Sequence, residues 1–226
     1  YGTDRCSLAT NRDFKDETLG RYVCGFNSDG EADDTVGVVR LAKTADHSTL
    51  ATIVNYACHP TTLAWDNTLI SPDYPGAMCE VIEAATDAPC FFIQGASGDI
   101  GPRHGFVGDT AVADQNGRQL GYAVLAALES LPPVDARMKY GGAVISGATI
   151  GSWGYEECST QQRERANVWQ EQRSEVALDY RDDLPRHDEL QQEAADWKAK
   201  EAAAVESGNA DAARDARAMI ERMTRR

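Results

Sequence analysis

The sequence predicts an α/β fold with a mixed, largely parallel sheet flanked by helices, followed by a C-terminal antiparallel helical arm. Short apolar, β-branched runs alternate with segments of helical periodicity through the first part of the chain. Two of these runs, 50–57 and 90–93, break abruptly into small and polar residues, as buried strands do at the carboxyl edge of a sheet. From about residue 155, Glu, Gln, Ala and Arg dominate. We therefore expect an α/β core over 1–154 and a helical arm over 155–226.

The first elements follow from local patterns. Residues 1–34 are polar and acidic, which predicts irregular structure. The runs 35–41 and 50–57 predict strands, and the short polar turn between them predicts an antiparallel pair. A helix should begin near Asp73 or Tyr74, because a capping residue is followed at once by Pro75.

The later elements complete the core and the arm. The strand predicted over 90–93 closes a βαβ unit with strand 50–57, so these two strands should be parallel. A second helix is expected over 111–131, ended by two prolines, and one further strand over 139–150. Pro185 and the segment 207–209 divide the arm into three helical stretches without a catalytic constellation.

Composition excludes some classes of function. Against 36 acidic residues the chain has 22 basic ones, and this net charge of −14 argues against non-specific nucleic-acid binding. No apolar run approaches the roughly 20 residues of a membrane helix, which predicts a soluble protein. The compartment stays open between cytoplasmic and secreted or periplasmic. The six cysteines form no CxxC pair. Cys58, Cys79 and Cys90 are expected as small core residues, whereas Cys6 and Cys24 could form a disulfide in an oxidising compartment.

Two loops that follow predicted strands carry the candidate chemistry. His59 ends the first strand and is fixed by Pro60, which suits a zinc ligand, although a lone histidine is also often a structural residue. No HxH or HExxH motif completes a site. In the second loop Ser97 lacks the glycine of a nucleophile elbow, because Asp99 takes that place. The N–H groups of this glycine-rich loop could hold an oxyanion, or the glycines could simply serve a tight turn. Asp99 and Arg103 could pair with each other or position a substrate.

Three segments, Tyr-Ala-Cys-His-Pro-Thr-Thr at 56–62, Asn-Thr-Leu-Ile-Ser-Pro-Asp at 67–73 and Gly-Asp-Ile-Gly-Pro at 98–102, resemble the amino-terminal domain of the neutral/alkaline (non-lysosomal) ceramidase family. The resemblance covers about residues 33–130. It implies a zinc amidohydrolase that cleaves the N-acyl bond of ceramide.

Carried over residue by residue, the resemblance makes His59 a zinc ligand and matches Asp73 and Asp99 to acids of the family. The family's serine falls at Gly101, and Ser97 aligns with a non-serine position. The other zinc ligands of the family, an earlier histidine and a later glutamate and tyrosine, would precede and follow this chain. We therefore expect the middle part of a longer protein, or a degenerate relative.

Two hypotheses follow. The first is a zinc-dependent hydrolase of a small N-acyl or lipid-like amide or ester, in which metal-activated water attacks because Gly101 replaces the serine. The second is a non-catalytic binding or assembly domain that forms homo-oligomers through the helical arm. The roles expected under the first are metal ligand for His59, catalysis for Gly98, Asp99 and Arg103, and substrate binding for Asp73, Ser97 and Gly101.

Overall fold

The computed structural model describes residues 1–65, 67–168, 170–179, 182 and 184–225. Within them the chain divides into two compact units, Tyr1–Val168 and Trp169–Arg226. The predicted α/β class with a mixed sheet is confirmed. The expected domain boundary between residues 154 and 155 stays a prediction.

The described elements are, in chain order, β1 Gly2–Arg5, β2 Ala9–Asn11, β3 Asp13–Asp16, β4 Arg21–Cys24, β5 Thr35–Ala42, β6 Thr49–Tyr56, α1 Tyr74–Thr86, β7 Cys90–Gln94, β8 Ile100–Pro102, α2 Thr110–Glu129, β9 Ala136–Ser146, β10 Ala148–Glu157, α3 Thr160–Ala166, α4 His187–Glu206 and α5 Ala210–Thr224. The main sheet has the strand order β1-β5-β6-β7.

Pairing within the main sheet is mixed. Strands β5 and β6 are antiparallel, as expected, and β6 and β7 are parallel with α1 as their crossover. The edge strand β1 is antiparallel to β5. Among the described strands of this sheet, only β6 and β7 pair in parallel, because only they are connected through a crossover helix, α1. The sheet therefore contains less parallel pairing than we expected.

The core of the first unit lies between the main sheet and the two helices α1 and α2. Its fully buried side chains include Val36, Val38, Val54, Tyr56, Tyr74, Met78, Ile82, Leu120 and Val124. Helices α1 and α2 approach closely at Gly117, where an added Cβ would lie 2.7 Å from Ala77 Cβ and 2.9 Å from Met78 N. The glycine is needed there because a side chain would push the helices apart.

The opposite face of the main sheet carries exposed apolar side chains. Phe91 and Ile93 on β7 are 55% and 51% exposed, and Val39 and Leu41 on β5 are also exposed. Strand alternation explains the pattern, since the neighbouring residues of each strand point into the core. Within the first unit, α1 and α2 therefore cover one face of this sheet.

Two predictions of local structure were wrong. Residues 1–34 were expected to be irregular but contain four short strands, β1 to β4. Two of them pair with strands distant in sequence, β1 with β5 and β2 with β8, and local sequence patterns do not predict such pairing. The single strand expected over 139–150 is instead the middle of the hairpin β9–β10, which turns at Gly147 with φ +73°. Glycine adopts this left-handed conformation without steric cost.

The second unit contains the helices α4 and α5. They form an antiparallel hairpin whose seam is lined by Ala204, Ala213, Ala216 and Met223. Helix α4 begins two residues after Pro185, and 207–209 separates α4 from α5 as expected, whereas α3 is the only helix among the described residues of the first stretch. In the part of the chain that the structure describes, no helix has the length and apolar character needed to cross a membrane.

Candidate functional site at the loops after β6 and β7

His59 lies immediately beyond β6, half-buried, with its ring held by the neighbouring loop. Its Nδ1 lies 2.6 Å from the carbonyl oxygen of Ser97 and 3.3 Å from that of Ile100. A carbonyl oxygen only accepts hydrogen bonds, so Nδ1 must carry the hydrogen and donate it. The neutral ring therefore keeps the lone pair on Nε2, which is the atom left to bind a metal or a proton.

The loop that orients His59 is itself fixed by an antiparallel pairing between β2 and β8. Thr10 pairs with Gly101 in this short ladder, and Arg12 N, just beyond it, donates to Asp99 O at 2.8 Å. The N-terminal segment is in turn anchored to β6, because the Tyr56 hydroxyl donates to Cys6 O at 2.6 Å. Residues far apart in sequence thus meet at the carboxyl end of the β6–β7 pair.

Arg12 brings a positive charge to this loop. Its Nε and Nη2 both donate to the carbonyl oxygen of Gly98, at 3.2 and 2.9 Å. Among the described residues it makes no salt bridge with a carboxylate. Because a guanidinium has five N–H donors, some remain available to an anionic or carbonyl group of a ligand.

Ser97 is buried and its hydroxyl is already engaged. Gln94 Nε2 donates to Ser97 Oγ at 2.5 Å and to Cys58 O at 3.0 Å, which ties the end of β7 to the strand that carries His59. Ser97 contacts His59 through its carbonyl rather than through its hydroxyl. Its expected role in substrate binding stays a prediction.

Gly98 and Asp99 form the exposed tip of the loop. Their N–H groups make no hydrogen bond with any residue that the structure describes, and a Cβ added at Gly98 would meet no atom within 4 Å. Open space next to unpaired N–H donors suits the approach of a carbonyl or carboxylate oxygen. The loop could therefore hold an oxyanion.

Asp73 links the His59 loop to α1. It caps the helix with Oδ1, which accepts from Tyr74 N at 2.7 Å, while Oδ2 accepts from Leu63 N at 2.9 Å. The residue is buried and has a φ of +58°, so its backbone is strained. In this position Asp73 orders the segment after His59, and its expected contact with substrate stays a prediction.

Arg103 follows β8 directly. Its guanidinium carbon is 6.0 Å from the centre of the Phe26 ring, and its backbone N donates to Leu8 O. The side chain borders a cavity of about 230 Å³ that is also lined by Thr10 and Ser28. The structure does not pair Arg103 with Asp99, and it places the guanidinium against Phe26.

Thr61 presents a buried hydroxyl to Gly101. Its Oγ1 has no hydrogen-bond partner among the described residues and would lie 3.9 Å from a Cβ added at Gly101. The Arg12 side chain passes over the same glycine, with Cδ at 3.4 Å from that added Cβ. The Thr61 hydroxyl and the aliphatic part of the Arg12 side chain thus flank the position at which the resemblance expects a serine.

The residue before His59 is not a ready metal ligand. Burial raises the pKa of the Cys58 thiol to about 12, so the thiol stays protonated at neutral pH. Over the ranges that the structure covers, no three His, Cys, Asp or Glu side chains converge as a metal centre requires. His59 fits a single metal ligand, and the described residues do not supply a complete site.

Three residues of this site were not expected from the sequence. Arg12 lay in a segment expected to be irregular, and its contact with Gly98 depends on the pairing of β2 with β8. Thr61 and Gln94 were inside the motifs that drew attention to the two loops. The sequence does not show which threonine lacks a hydrogen-bond partner or which glutamine side chain links two loops. The roles of Thr61 and Gln94 are therefore visible only in the structure.

Comparisons with known proteins add little beyond the geometry. No protein-family model matches the chain, and no curated protein matches it. A neutral ceramidase from Pseudomonas aeruginosa is similar in structure, with a TM-score of 0.44 and 16% identity over 62% of this chain. A ceramidase complexed with C2 gives a TM-score of 0.45 and 17% identity over the same share. The chain spans 24% of each of those chains. At such low TM-scores and identities the likeness carries no argument about function.

Proposed function

We propose that this chain is the His59-bearing part of a zinc-dependent hydrolase that cleaves an N-acyl amide or ester bond. The observation that carries the proposal is the ring of His59, whose Nδ1–H donates to the carbonyls of Ser97 and Ile100, so that Nε2 has no hydrogen-bond partner among the described residues. Histidines that bind metals are held in this way, since the second hydrogen bond fixes both the tautomer and the ring orientation. The resemblance of the surrounding motifs to ceramidases supports the choice of zinc and of an N-acyl substrate.

The residues of this chain have separable tasks in the proposed reaction. His59 would contribute one ligand, and a zinc ion held there would polarise the scissile carbonyl and help to activate water. The free N–H groups of Gly98 and Asp99 would donate to the oxygen on which negative charge develops. Arg12 would contribute a further donor by exchanging the Gly98 carbonyl for the substrate oxygen.

The proposal is tested on the intact gene product by measuring metal content and hydrolysis of a panel of N-acyl amides and esters. We expect about one zinc per chain in wild type, and loss of most of the zinc together with at least about a 100-fold fall in kcat/KM for His59→Ala. His187→Ala is the matched control, because His187 lies exposed at the start of α4 and should change neither quantity.

Two results would contradict the proposal: an intact protein without zinc, or a His59→Ala variant that hydrolyses the panel at the wild-type rate. The same measurements address the second hypothesis, a non-catalytic binding or assembly domain. That hypothesis predicts no hydrolysis by wild type and self-association that is lost when the exposed face of the α4–α5 hairpin is substituted. The specific observation in its favour is that the described residues hold a single candidate ligand.

A further inference from the structure

Two of the six cysteines contact each other. Cys79 on α1 and Cys90 at the start of β7 are both half-buried, and Cys79 Sγ lies 3.7 Å from the carbonyl oxygen of Cys90. Both side chains also pack against the same core cluster. Both were expected as small core residues, because each lies in an apolar part of the sequence.

A second contact fixes the helix against the strand at this point. Glu83 lies one turn after Cys79 on α1, and its Oε1 accepts from Cys90 N at 2.9 Å. Residues four apart lie on the same face of a helix, so Cys79 and Glu83 together hold the start of β7. The Cys79 side chain and the backbone of Cys90 are therefore held together by two contacts between α1 and the start of β7.

The electrostatics of the pair favour thiol–disulfide chemistry. The neighbouring Cys90 side chain lowers the pKa of Cys79, and the Cys79 side chain raises the pKa of Cys90. This asymmetry favours Cys79 as the attacking thiolate and Cys90 as the thiol that follows. Partial exposure of both side chains allows a small oxidant to reach them.

The other cysteines lack these features. Cys6 and Cys58 are buried, and burial raises the pKa of both thiols. Cys24 is exposed on β4, and Cys158 follows β10. Within the described residues, no hydrogen bond joins any of these four to another cysteine, whereas Cys79 Sγ contacts Cys90 O.

We infer that Cys79 and Cys90 form a disulfide when the protein meets a low-molecular-weight disulfide such as oxidised glutathione. The Cys79 thiolate attacks one sulfur of the oxidant, forms a mixed disulfide and expels one glutathione thiolate. Cys90 then attacks the Cys79 sulfur and expels the second glutathione. Two protein thiols are oxidised, one glutathione disulfide is reduced to two thiols, and the two protons from the cysteines are taken up by the departing thiolates.

The cross-link would join α1 to β7 inside the βαβ unit. The His59 loop precedes α1 and the glycine-rich loop follows β7, so the bond would stabilise the frame that holds both loops together. Closing a loop of this size restricts the unfolded chain, which raises the stability of the folded state. The disulfide does not depend on the proposed hydrolase activity.

The test equilibrates the full chain in glutathione buffers of increasing oxidised fraction, quenches it with acid, alkylates it and maps the cysteine peptides by mass spectrometry. We expect a Cys79–Cys90 cross-link to become the main product, with a transient glutathione adduct on Cys79, and the Tm to rise by about 5–10 °C. Cys24→Ser/Cys158→Ser should keep the full response, whereas Cys79→Ala and Cys90→Ala should each abolish it.

Three outcomes would overturn the inference. The first is complete alkylation of Cys79 and Cys90 in the most oxidising buffer. The second is a glutathione adduct on Cys79 that persists without closure, since it would show that the two sulfurs cannot reach bonding geometry. The third is preferential pairing of either residue with Cys24 or Cys158. The peptide map is made on wild type, so it decides the question even if an alanine variant fails to fold.

Discussion

At the residue scale, the loop after β6 contains a buried hydroxyl that makes no hydrogen bond with the described residues. Thr61 Oγ1 is in this state next to Gly101, and Thr52 Oγ1 is in the same state inside β6. A buried polar atom without a partner costs about 1–3 kcal/mol. At a functional site such a cost is offset when the atom binds a ligand, whereas within a strand it is only a loss of stability.

These two threonines form a matched pair of tests. Thr61→Val removes the hydroxyl at nearly constant volume, so we expect the free energy of unfolding to rise by about 1 kcal/mol while kcat/KM for the proposed substrates falls about 10-fold or more. Thr52→Val should give the same gain in stability with unchanged hydrolysis. Denaturant unfolding and the hydrolysis panel measure both effects. Equal activity of wild type and Thr61→Val would remove Thr61 from the site, and Thr61→Ser should retain activity if the hydroxyl is what matters.

At the scale of elements, the packing of α1 on α2 affects the position of the loop that carries His59. Asp73 caps α1 and also accepts from Leu63 N, so a shift of the helix would be transmitted to the loop. The close approach of the two helices depends on Gly117 and Gly121 on α2. At Gly117 an added Cβ would press on the backbone of α1, whereas at Gly121 it would press on the Val81 side chain at 2.9 Å.

This difference predicts graded effects of alanine in α2. In an exposed helix, replacing glycine with alanine stabilises by about 1 kcal/mol. Here overpacking should dominate, so Gly117→Ala should lower the free energy of unfolding by about 1–3 kcal/mol and Gly121→Ala by less, because the Val81 side chain can turn away. Urea titrations of the two variants compare them directly. If Gly121→Ala proved the more destabilising, the close contact between α1 and α2 at Gly117 would be wrong.

At the scale of the whole molecule, an exposed segment lies near the start of the second compact unit. Residues 170–179 contain no helix or strand, and every one of them is exposed. Exposed backbone without regular hydrogen bonds is where proteases cut first, because the segment must enter the protease active site in an extended form. The position of the first cut therefore reports on how the chain is divided.

We expect limited trypsin digestion to cut first after Arg173, whose side chain is 90% exposed. Arg217 should be cut more slowly, because it lies within α5 and is paired with Glu201 at 2.8 Å. Mass spectrometry of early fragments measures the order of cleavage, and Arg173→Gln should delay the first cut. A first cut between residues 35 and 131 would contradict the division into these units.

The sequence alone determined the class of fold and the location of the candidate loops. Strand periodicity, the cap at Asp73 and the breaks after β6 and β7 are local signals, and they predicted β6, α1, β7 and the position of His59. The hairpin β9–β10 was only half predicted, because alternation identifies a strand but does not show where it folds back on itself.

Only the tertiary structure decided which residues surround His59. The contacts of Arg12 with Gly98, of Thr61 with Gly101 and of Cys79 with Cys90 join segments that no periodicity relates. Long-range pairing depends on the packing of the whole core rather than on neighbouring residues, so local patterns do not determine it. The sequence therefore located the histidine, while the fold determined its tautomer, its neighbours and the free Nε2 on which the proposed chemistry depends.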